Sequence, residues 1–528
     1  MPWRKTNRCK IGERDMSKKI ISLILSVIFV IGVFASCSKD SSPEPAPMGD
    51  KVDVKNGGKI NIGCVPVDTL NPLVTQHASV ADFLSLVYEG LFVTNPDLSV
   101  EPVLAESYTV SGNNTTYTIK LKENVKFHNG KSFVARDVIA TLDYLKEHQT
   151  RWSDVVKYIE NYSERGNYTV VIKLNTPKSD FAANFDFPIL PNGLPEEDFE
   201  NPNQNFVPVG TGMYKYDTTV AYKKIVLKSY EGWMGGTDKA YIDEVDVEIM
   251  SDEETIISAF DAGTLDVLTT SWRSLGDLTL SSSLFNTFSC EQNRFSYVGI
   301  NTESEIFDDV NERRELLDSI DNKKITEDIM ISNGIVATSP VRDSVYFNVN
   351  DNDEPAVKQS DKNTGSAERT PIECKILYNS DSKTKNRMAA SLKQQLEASG
   401  YIVILDGNPK SSYLDKVAAG EYDLYIGEVQ MTGSCDLSFM FSSPSGGFCN
   451  YDDKEFRALL TNLDSVVGEK EKEVAWENFE KYYLNSAVQV PLFFTNKAVF
   501  VNKRISGALK PNLSTYFYKF DDMFIKKD

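Results

Sequence analysis

The stretch Glu101–Leu145, EPVLAESYTVSGNNTTYTIKLKENVKFHNGKSFVARDVIATLDYL, leaves fewer folding options than any other part of the chain. Tyr117, Ile119 and Leu121 alternate with polar neighbours, the period of a strand with one buried face. His128-Asn129-Gly130 reads as a turn, because Asn and Gly accept positive φ at little cost. Beyond it, Ala135, Val138, Ile139, Leu142 and Leu145 recur at helical spacing and mark one apolar helix face. The physical content is a β-then-α unit of a mixed globular lobe.

The order of residues within that unit carries more. Pro-Val-Leu-Ala-Glu-Ser-Tyr at 102–108, a hairpin, then Val-Lys-Phe-His-Asn-Gly-Lys-Ser-Phe-Val-Ala-Arg-Asp-Val at 125–138 closely resembles the family 5 extracytoplasmic solute-binding proteins of ABC importers, the family of dipeptide-, oligopeptide- and nickel-binding proteins. The family usually has Thr before the Ala; Val134 stands there in this chain, and Ser132 is the expected substitute for the lost helix cap.

With 528 residues there is room for two or more lobes and a large core. A composition of 41% hydrophobic and 25% charged residues is ordinary for a folded soluble protein. The net charge of −20, with no basic stripe, argues against a nucleic-acid surface. Lys18-Lys19 precede an uncharged apolar run, Ile20 to Ala35, that is short for spanning a membrane and ends in Ala35-Ser36-Cys37. The expectation is a signal peptide over 1–36 with Met16 as the natural start. A Cys after the small pair resembles a lipoprotein signal, so Cys37 is the expected lipidation site, with ordinary secretion or an uncleaved anchor as the alternatives. Ser38–Asp50 is Pro- and Ser-rich and suits a flexible tether.

Further landmarks follow in family order. Lys59–Val65 alternates as a first strand, and Leu70-Asn71-Pro72 resembles the family's segment after it. Val209-Gly210-Thr211-Gly212-Met213-Tyr214 resembles the family's V-G-T-G-P-Y with Met213 in place of Pro. Ala262-Gly263-Thr264-Leu265-Asp266-Val267 is similar to A-G-E-I-D-V. A second body starts near Phe295. Its Ile372–Tyr378 strand, Ser382–Ser399 helix and Tyr401–Leu405 strand, followed by helix Ser412–Ala419 and strand Asp423–Val429, predict parallel pairing through crossover helices. Each motif alone is weak; their collinearity from Lys59 to Ser506 carries the resemblance.

No converging catalytic set is visible. The chain has three histidines, His77, His128 and His148, and no HExxH, G-x-S-x-G or phosphate loop. His128 and His148 read as structural or solvent-facing. Apart from Cys9 and Cys37, five cysteines remain without a CxxC pair, so no metal cluster is expected; Cys435 with Cys449 is the disulfide to test, against buried thiols.

The resemblance implies an α/β, periplasmic-binding-protein-like fold of two lobes with an extra inserted domain, three domains in all around a ligand cleft. The expected segments are tether 37–55, domain I over 56–90, 206–288 and 496–528, domain II over 91–205, and domain III over 289–495. It further implies ligand contacts from His77, Trp272, Arg273 and the segment Gly427–Phe441. In that segment the family's acid for a peptide α-amino group falls on Thr432, which leaves Asp436, Glu428 or no acid at all for that task; Phe439 lies alongside. Expected partners are a di- or oligopeptide, ABC permease subunits and, through an acyl anchor, the membrane, for a monomer at the outer face of the cytoplasmic membrane or in the periplasm. No cofactor is expected. The alternatives are a nickel chelate, an oligosaccharide or haem in the same fold, or a secreted hydrolase.

Overall fold

The computed structural model describes residues 54–527 except positions 56, 435 and 452 and segments 195–205, 236–239, 272–282, 331–333, 343–370 and 438–450. Cys37, Trp272, Arg273, Phe439 and the Cys435–Cys449 pair lie outside the described residues.

A mixed eleven-stranded sheet runs through the chain. Its first half starts from Lys59–Cys64, which pairs in parallel with Glu244–Ile249; Lys224–Ser229 and Tyr214–Val220 extend that side. On the other side of Lys59–Cys64 lies Val267–Ser271, which pairs antiparallel with Gln489–Asn502. The second half is built on Phe285–Ile300, Leu424–Gln430, Ile372–Asn379 and Tyr401–Asn408, the last three in parallel as the crossover pattern requires. Helix Lys383–Ala398 makes the crossover and buries Met388, Leu392 and Leu396 at helical spacing.

A separate four-stranded antiparallel sheet, Ala105–Val110, Thr116–Leu121, Thr169–Leu174 and Ile159–Glu164, packs under helix Ala135–Glu147. The anticipated strand and helix are both present, with Tyr117, Ile119, Leu121, Val138, Leu142 and Leu145 buried. The cap is not Ser132. Asp137 reaches back and accepts the Val134 amide at 2.7 Å, so a carboxylate in the first turn replaces the missing hydroxyl.

His128 explains why the two sequence landmarks belong together. Its Nε2–H donates to the Gly212 carbonyl at 2.9 Å, while Nδ1 accepts the Gly210 amide at 3.3 Å, one tautomer serving both bonds. Burial pushes the imidazole down to about 4, so it stays neutral at pH 7. The glycines are needed for space: a Cβ on Gly210 would lie 1.9 Å from the Val87 carbonyl oxygen, and one on Gly212 would lie 2.5 Å from that of Leu86.

The apolar cores follow the same division. One cluster joins Ile60, Val245, Tyr117, Phe185 and Val499; a second, around Ile376 with Leu424, belongs to the second half, and a third, around Tyr425 with Phe479, takes in Leu98 as well. Cys64, Cys290 and Cys374 are buried free thiols. No helix among the described residues is long and apolar enough to cross a membrane.

Candidate ligand-binding cleft

The two long strands Phe285–Ile300 and Gln489–Asn502 run through both halves, and their pairing breaks in the middle. Registers hold from Phe285↔Asn502 to Glu291↔Asn496, then resume at Phe295↔Phe494. Gln292, Asn293 and Arg294 sit in that break, a bulge that turns polar side chains out of the ladder. They open onto a cavity of about 800 Å³. Its walls come from both halves: helix Ala78–Leu84 and Asp186 on one side, Met431–Gly433 on the other, and Leu513–Tyr518 from the C-terminal segment. A second chamber of about 330 Å³ shares Asp82, Gln292, Arg294 and Tyr516 with it.

The cavity is apolar over much of its wall but charged at its base. Asp82 is the one charged residue of its helix. Its carboxylate accepts a hydrogen bond from the Thr269 hydroxyl at 3.0 Å, and burial pushes it up to about 6 against the attraction of Lys497. Lys497 is the one charged residue of strand Gln489–Asn502. Its Nζ donates to the Leu513 carbonyl at 3.2 Å and lies 4.5 Å from the Tyr516 ring centre. Desolvation lowers its pKa, opposed by Asp82. The Arg151 guanidinium stacks on the Trp152 ring at 4.1 Å, and enclosure by protein lowers its pKa although its surface still meets cleft solvent. Asp186, beside it, accepts from the Trp152 indole N–H at 3.4 Å; burial raises its pKa, and Arg151 pulls the other way. Deeper, Glu89 accepts from the Trp233 indole at 2.9 Å and the Thr211 hydroxyl at 2.8 Å while burial raises it.

Of the site residues expected from sequence, Thr432 lines the cavity, half-buried. Glu428 does not line it and is already engaged: Arg294 lies 3.0 Å away, Lys385 3.6 Å, and the Ser296 hydroxyl donates at 3.4 Å. Asp436 is buried 3.1 Å from Lys178, which also meets Asp464 at 2.6 Å. His77 is exposed, its Nδ1 2.9 Å from the Pro66 carbonyl oxygen, and stands at the start of helix Ala78–Leu84 outside the cavity wall. The structure thus brings Asp82, Arg151, Asp186 and Lys497 to one place, none of them singled out by sequence. A signal existed for two: a lone acid on an apolar helix and a lone lysine within VPLFFTNKAVFV are both costly to bury without a task.

Comparison with known proteins places this geometry. The family model described as bacterial extracellular solute-binding proteins, family 5 Middle, matches residues 99–447. The chain is 25% identical to the oligopeptide-binding protein AppA of Bacillus subtilis over 368 residues, which is 65% of each chain. It is 32% identical to the glutathione-binding protein GsiB of Escherichia coli over 209 residues, 37% of this chain and 38% of that one. The chain therefore spans less than two thirds of the length of either curated relative in these alignments. The crystal structure of Bacillus subtilis AppA in complex with a nonapeptide superposes with a TM-score of 0.66 at 19% identity, covering 90% of this chain and 100% of that one. That likeness establishes a shared periplasmic-binding-protein fold.

Proposed function

Because the chain belongs to family 5 of the bacterial extracellular solute-binding proteins, we propose that it captures a short peptide in the cleft between its halves and hands it unchanged to an ABC importer. The observation that carries this reading is the 800 Å³ cavity over the strand break, walled by both halves and charged at its base. Its volume falls within the range of about 300–1,000 Å³ that small-ligand sites occupy. Main-chain groups at Met431–Gly433 can bind an extended backbone, and space around them accommodates varied side chains, with water filling what a small side chain leaves. The named relatives bind an oligopeptide and glutathione, which supports a peptide over a chelate or sugar.

On this reading the protein is a receptor and performs no catalysis. Residues 56–90, 206–288 and 496–528 form domain I, 91–205 the insertion and 289–495 domain III, hinged at Gln292–Arg294. Cys37 carries the lipid, the monomer works outside the cytoplasmic membrane, and closure around the ligand presents it to the permease subunits. Isothermal titration of the purified protein against a mixture of short peptides tests it: heat of binding with every peptide recovered intact supports the receptor. Cleavage products, or no heat with any peptide, refute it.

A further inference from the structure

Beside the cleft, and outside the cavity itself, the two halves grip each other through charge. Lys178 follows strand Thr169–Leu174 of the four-stranded sheet. Its ammonium lies 3.1 Å from Asp436 and 2.6 Å from Asp464, both in the second half, and 4.5 Å from the centre of the Tyr158 ring. Lys178 and Asp436 are buried. The neighbouring Ser179 hydroxyl meets the last carbonyls of helix Lys454–Ser465, and Lys472 pairs with Asp180. None of these residues lines the cavity over the strand break, so the grip forms without any contribution from a guest.

A short stretch ties this grip to the cavity wall. Met431, Thr432 and Gly433 face the cavity, and the Asp436 amide donates to the Thr432 hydroxyl at 3.3 Å. Between them, Ser434 accepts from the wall residue Asn184 at 2.9 Å, across the two halves. Gly433 approaches so closely that a Cβ there would strike the Ala183 carbonyl. Wall and grip therefore part together: a guest that leaves by separation of the halves leaves only after Lys178 has let go.

The charges fix the sign of the effect. One ammonium serves two carboxylates, and separating the halves returns all three to water. Burial raises Asp464 to about 6 although Lys178 attracts it, so the second negative charge is the one that resists closure. Taking away the ammonium weakens the closed form; taking away the surplus negative charge strengthens it.

We infer that Lys178, Asp436 and Asp464 form a clasp that sets how long the cleft keeps its guest, without touching that guest. This rests on the reading above that a peptide is held between the halves and freed when they part. The three are positioning residues.

The test loads the full-length protein with an isotope-labelled library of tri- to pentapeptides, chases it with the unlabelled library at pH 7, and follows exchange by native mass spectrometry. Lys178→Met is expected to release its peptides about tenfold faster or more, with the loading rate changed by less than about twofold. Lys178→Arg, which keeps the cation, restores most of the retention. Asp464→Asn is expected to release more slowly than wild type, an outcome that general loosening of the fold does not produce. It also keeps the inference open to refutation if Lys178→Met fails to fold, which circular dichroism shows. Equal release from wild type and a folded Lys178→Met, or faster release from Asp464→Asn than from wild type, overturns the clasp and leaves the peptide reading standing. If no peptide loads onto the wild type, the peptide reading fails and takes the clasp with it.

Discussion

Lys178 and Asp436 join the two halves of the molecule through a buried ion pair of 3.1 Å, and Asp464 meets the same ammonium at 2.6 Å. Around it the Ser179 hydroxyl lies 3.0–3.1 Å from the carbonyl oxygens of Leu463, Asp464 and Val466, and the Asn114 amide donates to Val466 at 3.0 Å. Lys472 pairs with Asp180 nearby. These contacts link the two halves beside the cavity and hold them together in this conformation.

Replacing Lys178 by Met removes the ammonium that Asp436 and Asp464 share. The expected loss is about 3 kcal/mol in urea unfolding at pH 7. Burial already raises Asp464 to about 6 despite Lys178, above the ordinary carboxylate value of about 3.9. The folded state therefore takes up a proton as pH falls through about 6, and this group then adds stability. Melts at pH 5 should recover part of the loss; a variant as stable as wild type at pH 7 contradicts the pairing.

His128 gives the opposite slope. Its folded value of about 4 lies below the ordinary value of about 6.5, so the neutral ring stabilises the fold above pH 6.5 and that contribution drains away as pH falls toward 4. His128→Asn should lower the melting temperature at pH 7 and flatten its decline between pH 6.5 and 4.5, read by scanning calorimetry.

Gly210→Ala forces a Cβ against the Val87 carbonyl, which is backbone and cannot swing aside. The expected cost exceeds about 2 kcal/mol by chemical denaturation. An alanine variant of wild-type stability would mean that the two segments are not in contact.

Asp82 also makes ligand capture pH-dependent. The charged groups that act on it are Lys497, Arg151 and Glu253, and its hydrogen-bond donor is Thr269. An ammonium in the cleft favours the carboxylate, so affinity for an amine-bearing peptide should fall as pH drops through about 6. Titration at pH 7.5 and pH 5 checks it, with Asp82→Asn expected to show no such change.

Much of the fold was legible because its strands alternate and its helices carry a regular apolar face, as in Thr116–Leu121 and Ala135–Glu147. Helix Lys454–Ser465 was legible too but passed over: Phe456, Leu459, Leu460 and Leu463 have helical spacing, and Asp453 caps it by accepting the Glu455 and Phe456 amides. The two long strands were legible only in part, for another reason. Glu291-Gln292-Asn293-Arg294 and Asn496-Lys497 interrupt the apolar pattern exactly where the ladder opens onto the cleft, so the local signal weakens at the place that function occupies. The candidate site was hardly legible. Its acids and bases come from Asp82, Arg151, Asp186 and Lys497, over 400 residues apart at the extremes, and only the fold assembles them.

The central claim is that the cleft holds a peptide, and the most direct measurement is mass spectrometry of what the purified protein releases when denatured. Wild type should release short peptides, and Thr432→Trp, which fills the cavity from its wall, should release few or none. Peptides absent from the wild type after incubation with a peptide mixture, or present in equal amount in the filled variant, would contradict it.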